Sequence, residues 1–171
     1  MSSGPRFYGK YRATVLNNTD PQQQGRIQVQ LADRYGLFPS TWAMPTFLFA
    51  GKSSSGVVAL PAMGSSVWVE FEAGDADYPV WSGGFYPDTM GFPTLANAGG
   101  TPVTPNIHLQ TTSGTLLTLS DNPTQQVLLQ TATGVMITIG TAGVTILNGQ
   151  GASIALVGSS VIINNGALTI T

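Results

Sequence analysis

Short alternations of apolar and polar residues fill the last third of the chain, residues 107–171. Pairs of Ile, Val or Leu separated by one residue recur there, with Gly, Ser, Thr, Asn and Gln between them. A two-residue period spaced about 7 to 11 residues apart is typical of short strands with one face turned inward. The pattern predicts eight strands joined by tight polar turns, with a spacing that shortens toward residue 171. The predicted inward residues are Ile107, Leu109, Leu117, Leu119, Val127, Leu129, Val135, Ile137, Ile139, Val144, Ile146, Ile154, Leu156, Val161, Ile163, Leu168 and Ile170.

A single ribbon of eight such strands would leave its apolar face uncovered and its backbone edges unpaired. Three identical chains around a common axis would bury that face in one core and pair every edge with a neighbouring chain. We therefore expect residues 107–171 to form a trimeric β-helix or β-prism, about 40 Å long if the strands stack at about 4.8 Å. Its core is predicted to hold the apolar pairs from Leu117 to Ile163.

The first half of the chain has a different pattern. Strands are predicted at 11–16, 26–31, 42–45, 67–72 and 79–83, with no segment of helical period, and 51–56 is interpreted as a flexible loop. Five short strands in about 80 residues favour a small closed barrel of the OB type. The predicted organisation of this all-β chain is an N-terminal arm at 1–9, an OB-fold domain at 10–86, a linker at 87–106 and a trimeric β-helix spike at 107–171.

Composition narrows the possible partners. Only 8% of the residues are charged against 42% hydrophobic, and the net charge is −2. After Asp88 the only formally charged side chain is Asp121. Without a basic patch, nucleic acid is not an expected partner. No cysteine is present, and the first residues lack the apolar segment of a secretory signal, so assembly in the bacterial cytoplasm is expected.

Four carboxylates lie close together in the sequence, at Glu70, Glu72, Asp75 and Asp77. Such a group could bind a hard cation or act as an acid and base pair. Glu70 and Glu72 fall on one strand face opposite Val69, however, and Asp75 follows Gly74 in a turn. A solvated strand face and turn is the preferred interpretation.

His108 is the single histidine of the chain. Three copies could meet on a trimer axis and bind a metal, but if Ile107 and Leu109 point inward then His108 points outward. One histidine and no Gly-x-Ser-x-Gly sequence leave no nucleophile system, and no phosphate-binding glycine loop is present. We expect no catalytic activity, no cofactor and no metal.

The barrel region resembles the OB domain of contractile-tail spike proteins, which include the phage baseplate assembly protein V and the VgrG proteins of type VI secretion. The resemblance covers about residues 10–86 and is followed in that family by a trimeric β-helix. The residues that carry it, in order, are Asp20, Gly25-Arg26-Ile27-Gln28-Val29, Trp42, Ala50-Gly51, Gly56, Pro61, Gly64, Val67-Trp68-Val69-Glu70-Phe71, Gly74-Asp75, Pro79, Gly83 and Tyr86.

Differences between this chain and other contractile-tail spike proteins indicate which type of spike protein it resembles. Only residues 1–9 precede the barrel, so the hub is expected to be a separate protein, and the linker 87–106 is too short to hold a lysozyme domain. Simple phage spikes carry a metal-binding His-x-His tip, which a chain with a single histidine does not have. The resemblance then implies a separate PAAR-type tip protein, in contact with Leu168, Thr169, Ile170 and Thr171.

The expected function is that of the structural central spike of a contractile injection machine, most simply a phage tail baseplate. The homotrimer would attach to the baseplate hub and pierce the host cell envelope during brief contact. One alternative is a trimeric receptor-binding tail fibre or adhesin, which needs aromatic and charged residues near residue 171. Another is the spike of a type VI secretion or extracellular contractile injection system. An oligonucleotide-binding OB protein needs a basic groove, which six Lys and Arg do not readily supply.

Overall fold

The structure is a computed structural model that describes residues 5–31, 39–88, 91–97 and 106–171. The chain divides into two compact units, Met1–Gly91 and Phe92–Thr171. The described residues contain strands and three short 3-10 turns, at Glu72–Gly74, Thr94–Asn97 and Asn164–Gly166. The all-β prediction is confirmed. Residues 98–105, which form much of the predicted linker, lie outside the described ranges.

The first unit is a five-stranded barrel of the OB type. Its strands are β1 (Tyr11–Asn17), β2 (Gln28–Gln30), β3 (Met44–Pro45), β4 (Ser66–Phe71) and β5 (Pro79–Gly84). They are arranged in the order β2-β1-β4-β5-β3, and all pairs are antiparallel except β3 with β5. Ile27 and Ala43 exchange two backbone hydrogen bonds, of 3.2 and 2.8 Å, which link the ends of the sheet and close the barrel.

The alternation along β4 explains how the barrel core forms. Val67, Val69 and Phe71 are buried, whereas Trp68 and Glu70 between them point away from the core. The indole of Trp81 is also buried, and its Nε1 donates a hydrogen bond of 3.2 Å to the Gly25 carbonyl. The remaining buried side chains come mainly from the first strands and the segment before β3, and are Ala13, Val15, Ile27, Val29, Leu31 and Ala43.

The segment 51–56 differs from the flexible loop that was expected. Gly51 N–H donates to the Ser55 carbonyl at 2.6 Å, and Val57 N–H donates to the Phe49 carbonyl at 3.2 Å. Ser53 and Ser54 both adopt positive φ values, of 61° and 62°, as a tight reversal requires. The chain therefore forms a hydrogen-bonded hairpin at this point.

The second unit contains the eight predicted strands. They are β6 (Asn106–Gln110), β7 (Leu116–Ser120), β8 (Val127–Gln130), β9 (Met136–Gly140), β10 (Gly143–Leu147), β11 (Ser153–Val157), β12 (Ser160–Ile163) and β13 (Leu168–Ile170). Each strand pairs antiparallel with the next, so the sheet order follows the chain order.

Within the chain only the two outer strands leave a backbone edge unpaired, and the pairing of those edges with a neighbouring chain stays a prediction. Six of the eight strands are paired on both sides within the chain, and only β6 and β13 are outer strands. The reason is the length of the connections, because turns such as 141–142 can join only adjacent antiparallel strands. This unit is therefore a single meander, and other copies can add to it by face packing or at its two outer strands.

The turns pack tightly along one side of the sheet. Thr141 N–H donates to the Pro123 carbonyl at 2.8 Å, which places the β9–β10 turn against the loop that follows β7. A side chain at Gly140 would overlap the carbonyl of Thr124. The shortened spacing near residue 171 comes from the two-residue turns 141–142 and 158–159 and from the short last strands.

Candidate functional site

Two unbroken columns of aliphatic side chains cross one face of the C-terminal sheet. The strand register places Ile107 opposite Leu119 and Leu109 opposite Leu117, and this alignment continues through all eight strands. We call these two columns the aliphatic face. One column is Ile107, Leu119, Val127, Ile139, Val144, Leu156, Val161 and Ile170, and the other is Leu109, Leu117, Leu129, Ile137, Ile146, Ile154, Ile163 and Leu168.

No side chain of the aliphatic face is buried within the unit. The exposed fraction is 39% at both Ile139 and Ile146 in the middle of the sheet, and it rises to 63% at Ile107 and 56% at Ile170 in the outer strands. A continuous apolar surface of this extent is rare on a soluble monomer and marks an interaction site. The face therefore needs a cover from outside its own chain.

The predicted core residues lie on this face, with one exception. Val135 shares the strand period but precedes β9, in the turn where its N–H donates to Thr131 Oγ1 at 3.2 Å. It therefore lies outside both columns and has no aliphatic partner in register.

The second face of the sheet is more polar and better covered. Its central column contains four threonines, and Leu116, Thr118 and Leu128 on this face are buried inside the unit. Sequence reasoning missed Leu116 and Leu128, although consecutive leucines at 116–117 and 128–129 indicate strands that are apolar on both faces. The aliphatic face is therefore the less covered of the two faces.

His108 lies on the second face, opposite Thr118. Its Nδ1 is 2.7 Å from Thr118 Oγ1, and its Nε2 is 2.9 Å from Gln110 Oε1. The side chain points away from the aliphatic face, as the alternation with Ile107 and Leu109 predicts. Both ring nitrogens are engaged in hydrogen bonds, and β6 is at the opposite end of the sheet from β13. This geometry does not favour a metal site on a trimer axis.

Comparison with protein families identifies both units of the chain. The model described as the phage baseplate V C-terminal trimerisation domain matches residues 106–169, which run from the start of β6 into β13. The model described as the type VI secretion system/phage-baseplate injector OB domain matches residues 11–86, which contain all five barrel strands. The chain belongs to the phage baseplate V family. None of the curated proteins matches it.

Membership of the baseplate V family explains the aliphatic face. All of the face except Ile170 lies within the residues matched by the trimerisation domain, and the two matches together make the chain a homotrimer that associates with a baseplate in a spike-type role. Both matched domains are structural parts of an injection machine. The helical turns in the described ranges are all too short and too polar to cross a membrane.

The four carboxylates near residue 70 do not converge in the baseplate OB domain. Glu70 binds Lys10 Nζ at 2.7 Å, and Asp75 is 3.9 Å from Arg6 Nη1 and accepts the Asp77 N–H at 3.1 Å. Within the described ranges, no group of three or more His, Cys, Asp and Glu side chains is arranged to hold a metal ion. The carboxylates of Glu70 and Asp75 therefore have separate partners and are partly exposed to solvent.

Asp20 and Arg26 form an ion pair that the sequence pattern did not predict. The Asp20 side chain is 3% exposed and accepts hydrogen bonds from Arg26 Nη2 at 2.6 Å and Nε at 3.1 Å. It also accepts the N–H groups of Gln22, Gln24 and Arg26. The Arg26 hydrogen bond, helped by the backbone donors, holds the pKa of Asp20 far below its usual value. The Arg26 guanidinium lies over the Trp42 ring, 5.5 Å from its centroid. The pair fixes the β1–β2 loop.

The outer face of β1 and β4 contains a cation and two aromatic rings. The Arg12 guanidinium is 5.5 Å from the centroid of Trp68 and 5.2 Å from that of Phe85. The nearby Lys10 is neutralised by Glu70. This surface therefore lacks the run of free positive charge that an oligonucleotide groove requires.

Proposed function

We propose that this chain is the central spike of a contractile injection particle, most simply a phage tail baseplate. Three aliphatic faces pack together into a needle, and the OB domains connect that needle to a separate hub protein. The observation that carries the proposal is the pair of aliphatic columns, which remain uncovered in one chain and lie in a trimerisation domain. Mutual packing of three copies removes all of this surface from water at once.

The strand arrangement is suited to a needle under compression along its axis. Backbone hydrogen bonds in an antiparallel sheet run perpendicular to the strands, so in this meander they connect β6 to β13 in one continuous series. Axial load then passes through paired backbone and packed aliphatic columns. In this proposal the sheath supplies the work, the spike pierces the host envelope mechanically, and the chain performs no catalysis.

The free edge of β13 is the proposed docking site for a tip protein. Leu168, Thr169 and Ile170 pair with β12 on one side only, and all three side chains are exposed. Unpaired strand edges with apolar side chains are templates for strand addition. A small PAAR-type protein that continues the stack would cover this edge, together with Thr171, in all three chains.

The composition of the distal strands favours a spike over a receptor-binding fibre. From Phe92 onward the sequence contains no further aromatic residue, and Asp121 is the only formally charged residue after Asp88. Receptor recognition at a fibre tip relies on aromatic anchors and directed polar groups. The aliphatic and threonine-rich strands supply neither.

Localisation in the intact particle tests the proposed function. An antibody against the trimerisation domain should label the central axis of the baseplate in electron micrographs of particles disrupted to expose the spike. Labelling at the distal ends of fibres would instead establish the adhesin function. Particles of a type VI or extracellular injection system would be distinguished in the same images by the absence of a capsid.

A further inference from the structure

The connection between β3 and β4 forms a projecting hairpin with unusual surface chemistry. We call residues 46–65 the apolar hairpin. It begins where Thr46 N–H and Oγ1 both donate to the Trp81 carbonyl, at 3.0 and 2.9 Å, and ends where Gly64 N–H donates to the Val15 carbonyl at 2.8 Å. Phe47 packs edge-on against Trp81 with a centroid distance of 6.0 Å. Both ends of the hairpin are therefore anchored on the barrel.

The arms of the apolar hairpin carry large aliphatic and aromatic side chains into solvent. Leu48 is 86% exposed, and Phe49, Val57, Val58, Leu60 and Met63 are exposed as well. Lys52 is the only charged residue in the segment. An exposed patch with so few charges resembles the core of an obligate interface more than ordinary protein surface.

The second arm also presents unpaired backbone. Pairing between the two arms ends at Val57, whose N–H donates to Phe49. In the described part of the chain, the N–H groups of Val58, Ala59 and Leu60 have no hydrogen-bond partner. Pairing resumes at Pro61, whose carbonyl accepts a bond of 3.0 Å from Asn18 Nδ2. A solvent-exposed stretch with free donors and consecutive apolar side chains is a site for strand addition.

A groove of about 490 Å³ lies beside this arm. Phe47, Val58 and Leu60 form its apolar lining, and the β1–β2 loop that Asp20 holds in place forms its polar side. A side chain from an added strand would enter this groove. The structure therefore supplies both backbone donors and a side-chain pocket along the same arm.

We infer that the apolar hairpin packs against the OB domain of a neighbouring copy in the same trimer, so that the OB domains form a second trimer contact. This inference rests on the proposed homotrimeric spike. Each OB domain is covalently joined to a trimerisation domain, so the copies are held at an effective concentration in about the millimolar range. A weak contact is therefore sufficient to keep the hairpin covered. Its lack of charge also fits an obligate homo-oligomer better than a transient encounter with a separate protein.

Amide hydrogen exchange on the purified full-length trimer tests the inference. Free amides exchange at close to the intrinsic rate, so Val58, Ala59 and Leu60 should be unprotected in a dissociated chain. In the trimer we expect exchange at these amides to slow by about tenfold or more. Unprotected amides in a sample that light scattering shows to be trimeric would overturn the inference and leave the proposed function intact. A monomeric wild-type chain would overturn both.

A second experiment identifies the protein that contacts the apolar hairpin. A photo-crosslinking phenylalanine analogue at position 48 should give covalent dimers and trimers, with crosslinked peptides from the OB domain of another copy. The same analogue at Ser54, in the polar turn of the hairpin, is the matched control and should crosslink much less. Val58→Asp should abolish the interchain products while the trimer persists. Crosslinks that form only after baseplate proteins are added would assign the hairpin to the hub and refute contact between copies.

Discussion

Ile137 lies directly opposite Ile146 on neighbouring strands in the middle of the aliphatic face. Ile137→Asp would place three carboxylates in a dry trimer core, at a cost of several kcal/mol for each charge. We expect this variant to be monomeric or aggregated. Light scattering of the purified full-length chain measures the outcome.

Thr145→Asp provides the matched control, because Thr145 is the next residue before Ile146 and points to the opposite face. It should remain trimeric. Ile137→Val should also remain trimeric, with a loss of about 0.5–1.5 kcal/mol for each chain. If Ile137→Asp forms a stable trimer, the aliphatic face is not the trimer core.

Asp20→Asn should lower the unfolding temperature of the OB domain at neutral pH, because the ion pair with Arg26 is lost while the backbone hydrogen bonds can persist. Asp20 has a folded-state pKa below its ordinary value of 3.8, so its contribution is fully present above pH 3.8. As the pH falls below that value, protonation favours the unfolded state and the contribution declines. Thermal melts at pH 7 and pH 3 should show a smaller difference between wild type and variant at pH 3.

Asp75→Asn is the control for this experiment. Asp75 also faces an arginine, but its contact with Arg6 is 3.9 Å long and solvent-exposed. Such pairs contribute little to stability. We expect its unfolding temperature to remain near that of wild type at both pH values. An equal decrease in both variants would show that the enclosed Asp20 pair has no special role.

Gly140→Ala should destabilise the trimerisation domain, because a methyl group at this position would overlap the Thr124 carbonyl and separate two packed turns. Gly158→Ala is the control, since Gly158 has open space around it and a φ of 59°, so alanine there incurs only backbone strain of about 1–2 kcal/mol. Chemical denaturation should show the larger loss for Gly140→Ala. The reverse order would mean that the turn packing is not tight in solution.

Deletion of residues 168–171 should leave the trimer intact, since the aliphatic columns still cross the seven strands before β13. The deletion removes the free edge and should abolish co-purification of a PAAR-type tip protein with the spike. Leu168→Ser combined with Ile170→Ser should weaken capture without shortening the chain. Tip-protein binding by the truncated trimer, or a stoichiometric iron or zinc ion in the isolated wild-type trimer, would contradict this assignment.

Zymography should detect no peptidoglycan hydrolysis by the purified spike, with or without divalent metal ions. The expectation follows from the separate partners of Glu70 and Asp75, which leave no paired acid and base. A reproducible lytic band that Glu70→Gln or Asp75→Asn removes would establish an enzyme. A band that both variants retain would indicate a contaminating hydrolase.

The C-terminal sheet was predictable because its apolar residues recur with a two-residue period. Apolar residues that recur every second position show which side chains share one face of the sheet. The short polar turns between strands determine the strand order. Burial of Leu116 and Leu128 was missed, because a rule based on one inward face assigns both to solvent.

The barrel strands were predictable to within a few residues, but the contacts between their loops were not. Asp20 and Arg26 are separated by a turn whose backbone donors bring them together, and composition alone does not show that geometry. The apolar hairpin was obscured by its Gly and Ser residues, which favour a loop. Only the structure shows that Val58 to Leu60 combine exposed side chains with free amides.

The scarcity of charge in the trimerisation domain also determines how the assembly responds to its surroundings. Asp121 is its single formally charged side chain, and the aliphatic columns contain no titratable group. Protons and dissolved salt therefore have almost nothing in that interface to act on. We therefore expect the trimer contact to change little between acidic and neutral solution, and dissolved salt to act on it mainly through the strength of apolar burial.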